Sequence, residues 1–357
     1  MRLRAEEAGD TPSEGPGPRV DFVYITSASF SGSTLLTFLL NTHPKVATIG
    51  EMKGDSMDVE KYRCSCGQPI GRCRFWQRLV ARLRERGIPF DLSDVWTQSG
   101  FRIPGAPLAN RIVSHRHRSW PLELCRDTFL ALSPACRRAF ERVARTNEVF
   151  VQAVTELTGR PIFVDASKDA IRLKYLRRIE SFRTKVIYMV RDGRGVMLSN
   201  MKHFGMSPEL AAREWVSAQN EIACALKAFA PPSRMLVRYE DLCRDPRAVM
   251  ARTFRFIGVA PEQAVTDFRA LEHHILGNAM RLDNRSEIQL DVRWLDELGP
   301  AELAIFERIG GRWNRKLGYD AESPAGPAVP PRAITPRSAR SESSARPVSI
   351  DENEPHA

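Results

Sequence analysis

The stretch Ser29-Phe30-Ser31-Gly32-Ser33-Thr34-Leu35-Leu36 decides how this chain folds. It follows a β-branched and aromatic run at residues 20–26 and leads into an apolar run at residues 35–40, so it predicts a strand, a loop and a helix. A loop of small polar residues at that place directs backbone N–H groups, hydroxyls and the positive end of a helix dipole towards one point. The sequence therefore predicts an anion site whose usual ligand is a phosphate.

The loop differs from the phosphate loops that bind nucleoside triphosphates. Those loops carry Gly-Lys-Ser/Thr at this point, whereas this chain has Gly32-Ser33-Thr34. The lysine that binds a γ-phosphate is therefore missing from the motif. A kinase of the P-loop type is disfavoured, and it remains the alternative enzyme class.

Four short apolar runs predict buried strands, and helical patterns lie between and after them. The strands are expected at residues 21–26, 161–164, 185–190 and 234–238, and helices at residues 147–157, after Ser207-Pro208 and after Asp245-Pro246. The alternation predicts a three-layer α/β fold with a mainly parallel central sheet. Ligands bind such sheets at the carboxyl ends of the strands, which is where the P-loop-like loop lies.

The rest of the chain divides into a globular part and two polar tails. We expect one domain over residues 20–320, with a largely helical, Arg-rich insertion at about residues 54–146. Residues 1–19 and 321–357 are rich in Pro, Gly, Ser and charged residues and poor in aromatic residues, which predicts disorder.

The overall charge restricts the class of partner only weakly. The chain has 53 Lys and Arg against 43 Asp and Glu, a formal charge of +10. This balance suits an anionic ligand, but an ordinary Arg-rich protein has it too, and no dense basic run argues for nucleic acid. Neither a signal-peptide core nor a run long enough to span a bilayer is evident, so we expect a cytoplasmic protein without a transmembrane segment. The oligomeric state stays open.

Two more predicted strands end in a cation. Lys168 follows the run at residues 161–164, and Arg191 directly follows the run at residues 185–190. Ser199 lies eight residues beyond Arg191, on the helix predicted to follow. The planar guanidinium of Arg suits phosphate oxygens and a Ser hydroxyl adds a donor. Three strand ends that carry anion-binding groups at one edge of a sheet indicate one extended anion site.

Taken together, these motifs resemble a known family. The loop resembles the 5′-phosphosulfate loop of sulfotransferases that use 3′-phosphoadenosine 5′-phosphosulfate (PAPS), and Arg191 with Ser199 resembles their 3′-phosphate motif at the same spacing. The other similarities are to tyrosylprotein and bacterial sulfotransferases. They lie in His43-Pro44 with Gly50-Glu51, in Ser167-Lys168-Asp169 and in Tyr239-Glu240-Asp241-Leu242, so that the resemblance extends from about residue 20 to residue 319.

The resemblance implies an activity and a set of site residues. A sulfuryl group would move from PAPS to an acceptor hydroxyl by in-line displacement, without a metal ion. The implied donor-binding residues are Ser31, Gly32, Ser33, Thr34, Leu35, Arg191, Ser199 and, in a late loop, Arg281. Lys168 would neutralise the departing phosphate and Glu51 would be the general base. Weaker candidates for the base are His43, His115, His117 and His203. The acceptor would be a small molecule, glycan, lipid or peptide with a hydroxyl.

One residue departs from the family pattern. The family usually has Lys or Arg immediately before the Ser-Gly of the loop, and this chain has Phe30. Lys168 matches another catalytic cation of the family and can supply the charge. Because of Phe30, a non-catalytic nucleotide-binding or anion-binding protein remains a second alternative.

Three cysteines lie within ten residues, at Cys64, Cys66 and Cys73. They could bind zinc with a fourth ligand from elsewhere, form a disulfide or simply pack. Their spacing matches no standard site made of two cysteine pairs. No metal is therefore predicted, and the role of the three thiols stays open.

Overall fold

The structure is a computed structural model, which describes residues 19–52, 57–94, 101, 106–108, 110, 120–261, 268–283 and 286–319. The predicted tails fall outside the described residues except for Arg19. Parts of the predicted insertion, with His115 and His117, fall outside them as well.

The described chain forms one sheet of five parallel strands in the order β2-β3-β1-β4-β5. The strands are β1 (Val20–Ser27), β2 (Val46–Gly50), β3 (Ile162–Lys168), β4 (Phe182–Val190) and β5 (Arg234–Arg238). Four of them confirm the predicted runs. Strand β2 was not predicted, because its sequence Val46-Ala47-Thr48-Ile49-Gly50 has no run of large apolar residues.

Helices cover the sheet on both faces. They are α1 (Ser33–Asn41), α2 (Arg74–Glu85), α3 (Trp120–Leu132), α4 (Pro134–Thr158), α5 (Ala170–Leu176), α6 (Gly193–Phe204), α7 (Pro208–Leu226), α8 (Tyr239–Arg244), α9 (Pro246–Ile257), α10 (Trp294–Glu297) and α11 (Pro300–Lys316). Side chains of Ser207 and Asp245 cap α7 and α9 as predicted. Helix α4 begins at Pro134, well before the predicted start at residue 147.

The two faces of β1 belong to different apolar cores, which makes the fold three-layered as predicted. Phe22 and Tyr24 pack with residues of α4 to α7 and α11. Val23 and Ile25 alternate with them and pack with residues of α1 and α9 on the other face. Such burial on both faces explains why the strand sequences are almost continuously apolar.

The described part of the insertion joins the first of these cores. Trp76 of α2 is fully buried, and its ring centre lies 6.4 Å from that of Phe150 on α4. A later segment closes the edge of the sheet beyond β2, where the Leu276 N–H donates to the carbonyl of Ile49 at 2.8 Å. Among the described residues, none of the helices has the length and apolar character needed to cross a bilayer.

The order of the strands determines where a ligand would bind. The chain leaves β1 towards β2 on one side and leaves β4 towards β5 on the other. Adjacent strands whose connections run in opposite directions leave a crevice at their carboxyl ends. That crevice lies between the loop after Ser27 and the turn after Val190.

Candidate active site

The loop after β1 has the features of an anion cradle. Gly32 has a φ of 84°, and a Cβ atom there would lie 2.5 Å from Cδ2 of Tyr239, so this position needs glycine. In the first turn of α1, all of it described, neither a side-chain cap nor an acidic residue satisfies the N–H groups. The Ser31 hydroxyl is buried and has no hydrogen-bond partner among the described residues. Each of these features suits an oxyanion ligand.

A cavity of about 750 Å³ opens in front of the loop, and we call it the donor cavity. It brings together most of the residues that the sequence analysis assigned to the donor. They are Gly32, Ser33, Thr34, Leu35, Lys168, Arg191 and Ser199. Its other wall is the segment at residues 286–293, which we call the strap; residues 287–293 of this segment line the cavity.

Arg191 is held in place from two sides of the donor cavity. Its guanidinium donates to the carbonyl of Phe30 at 3.0 Å and to the carbonyl of Asp291 at 2.8 Å. The carboxylate of Asp291 lies 3.0 Å from the same guanidinium. Hydrogen bonds from Arg293, together with the charge of Arg191, hold the pKa of Asp291 well below its usual range. Asp291 is therefore an anion paired with the cation that the sequence assigns to a phosphate.

Tyr239 and Glu240 support this arrangement, which gives their motif a physical role. The Tyr239 hydroxyl accepts from the Asp291 N–H at 3.1 Å and donates to the carbonyl of Gln289 at 3.2 Å, so it anchors the strap. The Arg191 guanidinium lies over the Tyr239 ring, and Cζ of Arg191 is 4.7 Å from the ring centre. Glu240 accepts from the Asp192 N–H at 3.0 Å, and burial raises the pKa of its carboxyl.

Lys168 has a strained backbone at the end of β3. Its φ is 68°, a value that residues other than glycine rarely adopt. Two bonds from β1 hold this turn: the Thr26 hydroxyl donates to the Lys168 carbonyl at 2.9 Å, and the Tyr24 hydroxyl donates to the Asp169 carbonyl at 2.8 Å. Strain that neighbouring bonds maintain is typical of functional positions.

The two predicted catalytic residues lie in direct contact. Nζ of Lys168 is 2.7 Å from Oε1 of Glu51, and each side chain is 17% exposed. Residues that approach Glu51 include Gly277, where a Cβ atom would lie 2.5 Å from Oε1. The carboxylate and the ammonium are therefore packed closely in a half-buried ion pair.

A buried charge pair behind Lys168 was missed by the sequence analysis. Asp165 is fully buried on β3, where its carboxylate accepts from Nε of Arg172 at 3.0 Å and from the Ser167 N–H at 2.8 Å. Arg172 also donates to the amide oxygen of Asn147 at 2.8 Å. A carboxylate directly after the apolar run at residues 161–164 was the available signal, since a buried charge needs a partner.

A second cavity, of about 370 Å³, lies on the other side of Lys168, and we call it the acceptor cavity after the role predicted for Glu51, which lines it. Glu51 and Lys168 line it together with apolar side chains of α6 and α7. Those side chains include Val196, Phe204, Trp215, Ala218 and Ile222, and Glu214 and Glu221 line the cavity as well. Lys168 lines both cavities and so marks the point where they meet.

Several other predicted residues lie in different surroundings. The guanidinium of Arg281 donates to the carbonyls of Arg63 and Gly277 and lies 4.2 Å from the ring centre of Tyr62. Its role as a phosphate contact stays a prediction that would require these bonds to rearrange. His43 precedes β2, at the end of the sheet opposite the crevice, where Nε2 lies 3.1 Å from the carbonyl of Ala260.

Phe30 takes a conformation unlike that of an ordinary loop residue. Its φ is 58°, and its carbonyl faces Arg191. Its ring packs edge-on against His203 at 5.3 Å and near Phe204 at 5.8 Å, at the end of α6. The residue that replaces the usual cation therefore contributes a backbone acceptor and an apolar contact.

The fold and the site define a parallel α/β protein whose switch-point loop has the geometry of an anion cradle. A model of the sulfotransferase family matches residues 23–263, and the chain belongs to this family, as the motifs predicted.

The chain is also similar to solved structures of bacterial sulfotransferases. The sulfotransferase domain of the olefin synthase from Synechococcus PCC 7002 is 17% identical, with a TM-score of 0.47, over 84% of this chain and 98% of that one. Sulfotransferase STF9 from Mycobacterium avium is 16% identical, with a TM-score of 0.40, over 87% of this chain and 79% of that one. The comparison with curated proteins gave no match.

Proposed function

We propose that this protein is a PAPS-dependent sulfotransferase that transfers a sulfuryl group to an acceptor hydroxyl by in-line displacement. One observation carries the proposal. The donor cavity combines an uncapped helix N-terminus, Arg191 and Ser199, and it meets a second cavity at Lys168. A two-substrate transfer needs such a pair of adjoining cavities with a cation at their junction.

The residues of the donor cavity suit a bisphosphate nucleotide. The N–H groups at the start of α1 and the hydroxyls of Ser33 and Thr34 would hold the 5′ side. Arg191 and Ser199 would hold the 3′-phosphate, and Arg191 would then exchange the carboxylate of Asp291 for the phosphate. The buried hydroxyl of Ser31 offers a further donor or acceptor at the loop.

The chemistry requires little covalent work from the protein. The acceptor oxygen forms a bond to sulfur while the bond between sulfur and the 5′-phosphate oxygen breaks. Lys168 would stabilise the negative charge that grows on that phosphate oxygen, and Glu51 would take the proton of the acceptor hydroxyl. Because the two side chains lie 2.7 Å apart, a change of charge on one would alter the electrostatic environment of the other.

The donor is best tested with the product nucleotide, 3′-phosphoadenosine 5′-phosphate (PAP). We expect saturable stabilisation in a thermal-shift titration, roughly 5 °C at about 100 times the dissociation constant. ATP with Mg²⁺ should give a much smaller shift at equal concentration. A shift with ATP and Mg²⁺ but none with PAP would favour the kinase alternative. Binding of PAP without turnover of PAPS over a panel of phenols, sugars, hydroxylated lipids and peptides would favour the non-catalytic alternative.

Replacement of Glu51 tests the general base. We expect Glu51→Gln to lower the transfer rate by about 10²–10³-fold, because the amide keeps the shape but cannot accept a proton. PAP affinity should stay within about threefold of wild type, since Glu51 lines the acceptor cavity. The measurement is PAP release with the fastest acceptor of the panel. Glu214→Gln is the matched control in the same cavity. A large loss in this control with an active Glu51→Gln enzyme would reassign the base.

A further inference from the structure

Four side chains that the proposed reaction does not use meet at one point beside β2. They are Cys64, Cys66, Cys73 and His274, and their ligand atoms all lie within 4.8 Å of one another. Sγ of Cys66 and Sγ of Cys73 are 3.7 Å apart. Nδ1 of His274 lies 3.4 Å from Sγ of Cys73 and 3.8 Å from Sγ of Cys64.

These separations are those of a tetrahedral zinc site. Bonds of about 2.3 Å to sulfur and about 2.05 Å to nitrogen place two sulfurs about 3.8 Å apart and a sulfur and a nitrogen about 3.6 Å apart. The distance between the sulfurs of Cys66 and Cys73, and the distances from His274 Nδ1 to the sulfurs of Cys73 and Cys64, lie close to these values. A disulfide would require about 2.05 Å between its sulfurs. The four groups are therefore spaced as ligands around a common centre.

The local backbone presents the thiols towards this centre. Cys64 and Cys66 belong to one tight turn, in which the Gly67 N–H donates to the Cys64 carbonyl at 2.8 Å and Gly67 has a φ of 83°. Cys73 is the N-cap residue of α2, where the helix dipole favours a thiolate. Cys64 and Cys73 are buried, so water has little access to the two sulfurs.

His274 has the surroundings of a metal ligand. While Nδ1 faces the thiols, Nε2 lies 3.3 Å from the carboxylate of Glu272 on the outer side. Its ring stacks on Phe75 at 4.5 Å with an angle of 2° between the planes. A carboxylate that accepts from the outer nitrogen fixes the tautomer that leaves the inner lone pair for a metal, as is usual for zinc-bound histidines.

We propose that Cys64, Cys66, Cys73 and His274 bind one structural Zn²⁺ ion. Three thiolates and one imidazole suit zinc rather than Mg²⁺ or Ca²⁺, which prefer oxygen ligands. With four protein ligands the site has no open position for a substrate, so the ion would act on structure rather than in catalysis.

The ion would lock together two parts of the chain that border the active site. Ser65 lies between the first two cysteines. Its backbone N–H donates to the Ile275 carbonyl at 3.2 Å, and its hydroxyl accepts from the Ile275 N–H at 2.7 Å. The next residue, Leu276, accepts the N–H of Glu51 at 3.3 Å. Zinc at this place would therefore fix the segment against which Glu51 packs. The zinc site would require neither the donor nor the reaction proposed above.

The first test is the metal content of the full-length protein, purified under reducing conditions without chelators. Inductively coupled plasma mass spectrometry should find about one zinc per chain in the wild type and less than about 0.2 zinc per chain in Cys73→Ser. The matched control is Cys125→Ser, which replaces an exposed cysteine and should keep the full content. Less than about 0.1 zinc per wild-type chain, also after incubation with zinc sulfate, would overturn the proposal. A disulfide among the three thiols in freshly reduced protein would overturn it as well.

The second test uses the folded wild-type protein, so that misfolding of a variant cannot imitate the result. The protein is first stripped of metal with a chelator and then titrated with Co²⁺. Binding should saturate at about one ion per chain and give the thiolate charge-transfer and visible absorption bands of tetrahedral Co²⁺. Glu272→Gln should lower zinc affinity about tenfold in a competition with a chelator, because the outer carboxylate orients His274. Octahedral Co²⁺ spectra without a thiolate band would contradict the assigned ligands.

Discussion

Replacing Lys168 with Met should lower the rate of sulfuryl transfer at saturating substrates by about 10²–10³-fold, which is the usual effect of removing one donor to a developing oxyanion. The charge on the leaving phosphate oxygen grows only in the transition state, so the loss should fall mainly on the rate constant. We expect the loss in rate to exceed the loss in PAP affinity by at least tenfold. The measurement is PAP release at saturating PAPS, beside a PAP titration.

The position of Lys168 makes this substitution informative. At a φ of 68°, Met carries about the same backbone strain as Lys, since both side chains are unbranched at Cβ. The hydrogen bonds from Thr26 and Tyr24 that hold this turn can therefore remain. Lys168→Arg is the control that keeps the charge, and it should retain much more activity than Lys168→Met. Unchanged turnover in Lys168→Met would show that another group neutralises the phosphate. The absence of a cation at position 30, where this chain has Phe30, would then need a different explanation.

Replacing Arg191 with Ala should weaken nucleotide binding much more than it lowers the transfer rate. We expect PAP affinity to fall about 100-fold, because a buried guanidinium that binds a phosphate through a planar fork typically contributes about 3 kcal/mol. The 3′-phosphate is remote from the reacting sulfur, so turnover at saturating PAPS should stay within about fivefold of wild type. Isothermal calorimetry with PAP and initial rates over a range of PAPS concentrations separate the two effects.

Asp291 provides a control with the opposite sign. Its carboxylate lies 3.0 Å from the Arg191 guanidinium and would compete with the 3′-phosphate for it. Asp291→Asn should therefore raise PAP affinity, while the backbone bond from Arg191 to residue 291 can remain. If Arg191→Ala binds PAP as tightly as wild type, the donor cavity does not hold a 3′-phosphate at Arg191. Weaker binding in Asp291→Asn would show that the carboxylate positions Arg191 rather than blocking it.

Much of the fold was predictable from local pattern. The strands β1, β3, β4 and β5 are apolar because both faces of the sheet are buried, and such runs are visible in sequence. The caps Ser207 and Asp245 were equally visible, because their side chains bond to residues only three positions away. Strand β2 was missed because its sequence, Val46-Ala47-Thr48-Ile49-Gly50, has no run of large apolar residues, whereas the equally short edge strand β5 contains Met235-Leu236-Val237.

The candidate site was predictable where its residues follow strands directly. Lys168 and Arg191 could be placed at one edge because parallel strands bring their carboxyl ends together. The ion pairs of these cations could not be predicted. Glu51 and Asp291 lie in loops, and no local sequence pattern indicates which residues a loop contacts. Arg281 was assigned to a phosphate on its place in the sequence, whereas its guanidinium bonds to the carbonyls of Arg63 and Gly277.

By itself, the sequence determined the parallel α/β architecture, the family and the cations at the strand ends, because these depend on residues that are neighbours along the chain. Tertiary structure alone decided which residues meet across long separations. It paired Lys168 with Glu51, set Asp291 against Arg191 and brought His274 to three thiols about 200 residues earlier. Chain neighbours share a local pattern that composition reveals. Distant partners are chosen by how helices and loops pack, and that packing depends on the whole core.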